Sequence, residues 1–242
     1  MNNYLQYAYN YFLEIEKKDP TRENLISKDD FFSSGKNVNR TMFGYTIEYF
    51  EKNKMPQKVS ADEYKLIDRE EVYHGFVDFK YGAELLSHWK YHYGTGYTNG
   101  IFFTPDVVLA GHYASMRKNG DYVPSYDQVL KAKLVSDKKV SFSTLAYYRD
   151  LIHRGHADMA PDGVRETLMK IQEFSEMPKD KKSAERFISA INQPSTIGVI
   201  LGYDIIEHQG YKILLNREVL VTSDIMYNIF MTNSGMMNKE KS

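Results

Sequence analysis

Helical periods and β-like runs follow one another in this chain without the strand–helix–strand alternation of a parallel-sheet protein. That irregular order is its strongest constraint and points to an α+β fold. Residues 4–17 bring Tyr4, Leu5, Ala8, Tyr11, Phe12 and Ile15 near one face at helical spacing, and Pro20 ends the pattern. Residues 28–40 are polar and rich in Gly, Ser and Asn, which predicts a loop. A second helix is expected over 41–53, with Phe43, Ile47 and Phe50 inward, then a connector over 54–60. Residues 1–65 are therefore read as an N-terminal helical cap.

The texture changes from Glu71. Residues 71–76 form a short β-like run ending at Gly75, and 82–91 read as a helix. A glycine-rich loop over 93–100 runs into a second strand, 101–104. Pro105-Asp106 then opens a helix reaching Tyr113 and Met116, with Asp106 where the helix dipole favours an anion. A strand is expected over 128–135, helices over 143–153, 163–176 and 184–191, an apolar run over 197–201, and strands over 211–215 and 219–222. Residues 66–225 are read as one catalytic domain and 226–242 as a C-terminal tail. No internal repeat or low-complexity tract is present.

Composition excludes several function classes. The 242 residues carry 31 Lys+Arg against 32 Asp+Glu, so the chain is not a globally basic nucleic-acid binder. With no cysteine, disulfides, thiolate metal sites and cysteine nucleophiles are excluded. No stretch approaches the about 20 apolar residues of a membrane helix, and the start has neither a basic nor an apolar leader segment. A cytoplasmic location, or delivery into a host cell, is the corresponding expectation. The 20 Tyr and 13 Phe are compatible with an aromatic-lined cleft, though ordinary core packing accounts for most such residues.

Three separated segments suggest one site. In Tyr73-His74-Gly75 a histidine at a strand end precedes a glycine, whose bare backbone lets a planar ligand approach closely. In Gly100-Ile101-Phe102-Phe103-Thr104, followed by Tyr113, aromatic rings could close over a ligand ring; glycines alone would read as a hairpin loop over core phenylalanines. In Asn216-Arg217-Glu218 a carboxylate stands at the mouth of an apolar strand, where it could stabilise a developing cation or simply be a solvated turn charge. The lysine of a phosphate-binding loop is missing. His88 and His92 are four apart with no third ligand nearby, so no metal site is expected. Residues 179–182 read as a solvated charged turn.

Taken in order, these segments resemble the ADP-ribosyltransferase superfamily over residues 70–222. Tyr73-His74-Gly75 is similar to the first motif of the histidine–tyrosine–glutamate branch. Gly100-Ile101-Phe102-Phe103 with Tyr113 is similar to the strand and later stacking tyrosine of the poly(ADP-ribose) polymerases. Glu218 with Val219-Leu220 is similar to the catalytic glutamate strand of the arginine–serine–glutamate branch. Residues 202–205 followed by Leu215-Asn216-Arg217 resemble the last strands of phage-encoded members. Phe102 stands where one branch carries tyrosine, Phe103 where the other carries serine, and Asn216 where Glu or Gln often precedes the catalytic residue.

The resemblance implies a split mixed β-sheet core and NAD as substrate. His74 would orient the ribose and Gly75 the carboxamide. Gly100, Phe102, Thr104 and Tyr113 would line the NAD site, with Phe102 and Tyr113 stacking on nicotinamide. Glu218 would be catalytic, and Asn216 and Arg217 would recognise the acceptor. The implied reaction transfers ADP-ribose to an acceptor macromolecule, protein ahead of nucleic acid, as bacterial toxins, effectors and phage proteins do. The loops over 120–128 and 147–183 would meet that acceptor. The alternatives are an inactive NAD-site or partner-binding module and, lower, an RNA 2′-phosphotransferase.

Overall fold

The computed structural model describes residues 2–18, 34–51, 54–87, 99–118, 121–176, 187–189 and 191–236. Its helices are α1 (Asn2–Lys18), α2 (Ser34–Glu51), α3 (Ala61–Leu66), α4 (Phe79–Ser87), α5 (Val107–Tyr113), α6 (Phe142–His153), α7 (Asp162–Glu176), α8 (Pro194–Ile200) and α9 (Asp224–Asn233). Its strands are β1 (Gln57–Val59), β2 (Glu71–Gly75), β3 (Ile101–Phe103), β4 (Met116–Lys118), β5 (Asp121–Val123), β6 (Val129–Leu134), β7 (Lys139–Ser141), β8 (Ile205–His208), β9 (Tyr211–Leu214) and β10 (Leu220–Ser223). The architecture is mixed α+β. The expected glycine-rich loop over 93–98, His88 and His92, the charged turn over 179–182 and the end of the tail lie outside the described residues.

The chain divides into two compact units that the sequence order conceals. One comprises residues 1–50, 95–99 and 140–203; the other comprises 51–94, 100–139 and 204–242. The expected boundaries at 65 and 225 are redrawn accordingly. Helices α6, α7 and α8 group with the N-terminal helices instead of the sheets, because their apolar faces pack among helices. Residues 226–233 are not a tail: they form most of α9, whose Phe230 is fully buried against Phe76 and Phe79.

In the helical unit, α1 buries Tyr4, Leu5, Ala8 and Phe12 on the face that the spacing predicts. Tyr4 packs 4.8 Å from the Phe50 ring and 5.1 Å from Tyr49, and its hydroxyl donates to Thr46 Oγ1. Phe12 meets Phe187 edge-on at 5.3 Å. The apolar run near 197 proves to be a helix, α8, with Pro194 at its first turn and every residue buried. Helix α2 begins at Ser34, within the stretch expected to be a loop. Helical bonding propagates backwards from the packed Phe43–Ile47 region and overrides a poor local composition.

The sheet unit holds a four-stranded sheet in the order β1-β10-β6-β2, with β1 parallel to β10 and the other pairs antiparallel. In a second sheet β3, β9 and β8 are neighbours in that order, all antiparallel. Among the described residues the two sheets meet at a single bridge, where Tyr73 and Thr104 exchange backbone hydrogen bonds of 2.7 and 2.9 Å. The core-facing side of β2 and β6, with Val72, Leu130 and Ala132, is buried. Strand β1 lies in the expected connector; three polar-flanked residues carry no legible period, and only pairing with the distant β10 makes them a strand. Local signals fix the helix starts. Ser60 and Glu63 form a reciprocal capping box on α3, and Asp106 accepts from Val108 and Leu109 N–H groups at α5. Helix α5 stops at Tyr113, short of the expected Met116, which begins β4.

Candidate functional site

Strand β2 delivers His74 to the seam between the two sheets. Its Nδ1 lies 2.6 Å from the carbonyl oxygen of Phe102. A carbonyl only accepts, so Nδ1 carries the proton and Nε2 keeps its lone pair. Nε2 has no hydrogen-bond partner among the described residues. The ring is packed 4.3 Å from Phe76 and 5.6 Å from Phe103. Burial among these rings pushes the imidazole pKa down to about 4, against a smaller opposing effect of the Phe102 carbonyl. At neutral pH His74 is thus an uncharged, oriented acceptor. It can receive a hydrogen bond from a hydroxyl, but it is a weak base.

Phe102 reaches His74 through its backbone and not its ring. Successive strand residues point to opposite faces, so Phe103 meets His74 while the Phe102 ring turns away. That ring meets Tyr211 of β9 edge-on at 6.2 Å. Tyr211 in turn has its hydroxyl 3.4 Å from that of Tyr113, at the end of α5. Phe102 and Tyr113, both expected to line a site, are therefore joined through Tyr211, which no motif singles out. The only signal was register: Phe102 pairs with Ile213, so Tyr211 stands two residues along β9, diagonal to Phe102 on the same face.

Gly75 has a steric purpose of its own. A Cβ there would stand 2.0 Å from the Ala110 carbonyl oxygen and 2.6 Å from the Ala114 nitrogen, so the glycine is what lets α5 lie against β2. Gly100 has φ +128°, and a Cβ on it would press on Ile213 at 2.5 Å. Thr104 is buried, with its hydroxyl accepting from the Asp106 N–H at 3.1 Å and its backbone spent on the seam. Gly75, Gly100 and Thr104 shape the seam by these means.

The third segment is not brought to His74. Leu220 is level with Leu134, and Lys133 is level with Glu71. The Val135 N–H bond to the Val219 carbonyl carries that register toward Glu218. Through Lys133, Val221 is level with Glu71, three residues before His74, and Glu218 lies three residues before Val221 on the turn that precedes β10. Its side chain is exposed on the short 3-10 turn Arg217–Val219.

Asn216 and Arg217, expected to recognise an acceptor, are interior groups instead. Asn216 is buried; its Nδ2 donates to Asp204 Oδ1 at 2.8 Å and its Oδ1 accepts from the Glu218 N–H at 3.0 Å. Arg217 has no exposed surface, and its guanidinium donates to the Leu85 carbonyl of α4 at 3.2 Å and approaches Met55 Sδ at 3.7 Å. A macromolecular acceptor cannot reach either side chain in this fold. The apolar strand that follows draws both residues inward, an outcome that depends on which face of the turn is covered and not on residue type. Of the segments expected to meet the acceptor, 147–176 is largely helix α6 and α7, and 121–123 is β5.

Among the described residues no helix is long and apolar enough to cross a membrane. No protein-family model matches the chain, nor does any curated protein or solved structure.

Proposed function

We propose that the sheet unit takes NAD at the seam of β2 and β3 and transfers its ADP-ribose to an acceptor, a protein side chain ahead of a nucleic acid, releasing nicotinamide. The observation that carries this reading is His74: a neutral imidazole in one tautomer, with Nε2 left to accept from a ribose hydroxyl. The two sheets, joined at one bridge among the described residues, are compatible with the split sheet that the resemblance implies. Breaking the glycosidic bond through a cationic state requires orientation first and favourable electrostatics second.

A second reading, an NAD-binding module without transfer, is favoured by the exposed position of Glu218 on the turn before β10, where no described contact joins it to His74. One experiment separates them. NAD binding is measured by calorimetry, and nicotinamide release is measured with and without cell lysate, for the native chain, His74→Ala and Glu218→Gln. Transfer predicts release that His74→Ala abolishes. Binding without release selects the module. Absence of NAD binding by the native chain overturns both. Release lost in Glu218→Gln would bring that carboxylate back into the chemistry and overturn its assignment as an exposed turn charge.

A further inference from the structure

We infer that Gln128 is a second binding residue on the face of the sheet that carries His74, and that the two side chains accept hydrogen bonds from the two neighbouring hydroxyls of one ribose. This rests on the NAD reading above and names a residue that no motif contains.

Register sets the face. Gly75 lies against Ala110 and Ala114 of α5, and its partner on β6, Val129, packs with the same two alanines. Alternate strand residues point the other way, which puts His74 and its partner Leu130 on the face opposite to α5. The Phe76 N–H donates to the Gln128 carbonyl at 2.9 Å and continues the ladder by one rung. Gln128 thus stands across from Phe76 and diagonal to His74, a separation that long side chains span. Phe76, whose ring packs 4.3 Å from that of His74, is the apolar neighbour between them. Gln128 is 4% exposed, and its amide oxygen is buried without a hydrogen-bond partner among the described residues. An acceptor stripped of water and given no donor is costly, and native interiors rarely keep one, so a donor from outside the chain is called for. His74 presents a second acceptor at Nε2, because Nδ1 holds its proton on the Phe102 carbonyl. Two acceptors on one face select a group that donates from two adjacent atoms. A ribose diol does so, whereas a phosphate, a carboxylate or a carbonyl does not.

The test measures by calorimetry the binding of NAD and of two NAD analogues, one without the 2′-hydroxyl and one without the 3′-hydroxyl of the nicotinamide ribose. The native chain is compared with Gln128→Met, which keeps the length of the side chain and removes the acceptor. If Gln128 holds one hydroxyl, Gln128→Met weakens NAD binding about tenfold and leaves unchanged the affinity for the analogue that lacks that hydroxyl. Equal weakening of all three ligands marks a merely structural role and overturns the inference. NAD affinity unchanged in Gln128→Met also overturns it, and is the result expected if the amide oxygen takes only a water. A native chain that binds no NAD instead overturns the reading on which the inference stands. Should Gln128→Met fail to fold, the native chain decides alone. Two accepted hydroxyls predict about tenfold weaker binding of each analogue, and a loss with one analogue only, or with neither, overturns the inference.

Discussion

Tyr4 in the helical unit and His74 in the sheet unit are both ring side chains whose burial favours the neutral form, yet they differ in what is left over. The Tyr4 hydroxyl donates to Thr46, whose own hydroxyl donates to the Met42 carbonyl at 2.7 Å, so the chain of donors ends inside the protein. Burial among Tyr45, Tyr49 and Phe50 pushes the Tyr4 phenol pKa well above its ordinary value. His74 makes one bond to the Phe102 carbonyl and retains an acceptor at Nε2. The first arrangement satisfies its polar atoms within the core; the second leaves Nε2 of a packed ring without a partner among the described residues. The difference is why the proposed NAD reading rests on the seam of the sheet unit and not on the Tyr4 cluster.

The largest expected effects test the division itself. Phe187→Ala in the helical unit and Phe230→Ala in the sheet unit each remove a fully buried ring, with an expected loss of about 3–5 kcal/mol. Denaturation followed by circular dichroism should show the two substitutions shifting different parts of the transition. A single transition moved equally by both would break the comparison between units.

Next in size is a pH effect specific to His74. Its pKa is about 4 in the folded chain and about 6.5 in the unfolded chain. Between those values the unfolded state binds the extra proton, so stability present above pH 6.5 is lost as pH falls, by about 3 kcal/mol near pH 4. His74→Gln should lack this part of the acid sensitivity. Denaturant titrations of both chains at pH 7 and pH 4.5 measure it, and parallel losses would remove His74 from the account.

The smallest effect concerns Asn216. Replacing it by Ala removes the bond to Asp204 and the cap on the Glu218 N–H, which should cost about 1–2 kcal/mol by thermal melting. NAD affinity should stay the same. A stable Asn216→Ala chain with altered acceptor preference would restore the recognition role that burial denies it.

The legible parts of the fold were those written locally. The α1 face repeats at helical spacing, Asp106 and Ser60 carry their caps with them, and β2 and β6 show their runs directly. Of the residues singled out for a site, His74 and Phe102 come from a histidine–glycine pair and an aromatic strand, and the structure joins them through the Phe102 carbonyl. The contact of Tyr211 with Phe102, and the place of Glu218 relative to β2, are not legible because both depend on the register between strands far apart in the chain. Composition and spacing contain no term for that register.

What the sequence determined alone is a mixed α+β chain without cysteine chemistry, with its helix starts, its main strands and one histidine beside a glycine. These follow from periodicity, capping and residue type, all of which act within a few residues. Only the tertiary structure decided that residues 140–203 belong with the first 50, that Arg217 and Asn216 face inward, and that Tyr211 meets Phe102. Those outcomes depend on which apolar faces cover one another and on how strands align. Hydrophobic burial is non-directional, so it selects a partner surface only when the whole set of elements is packed at once.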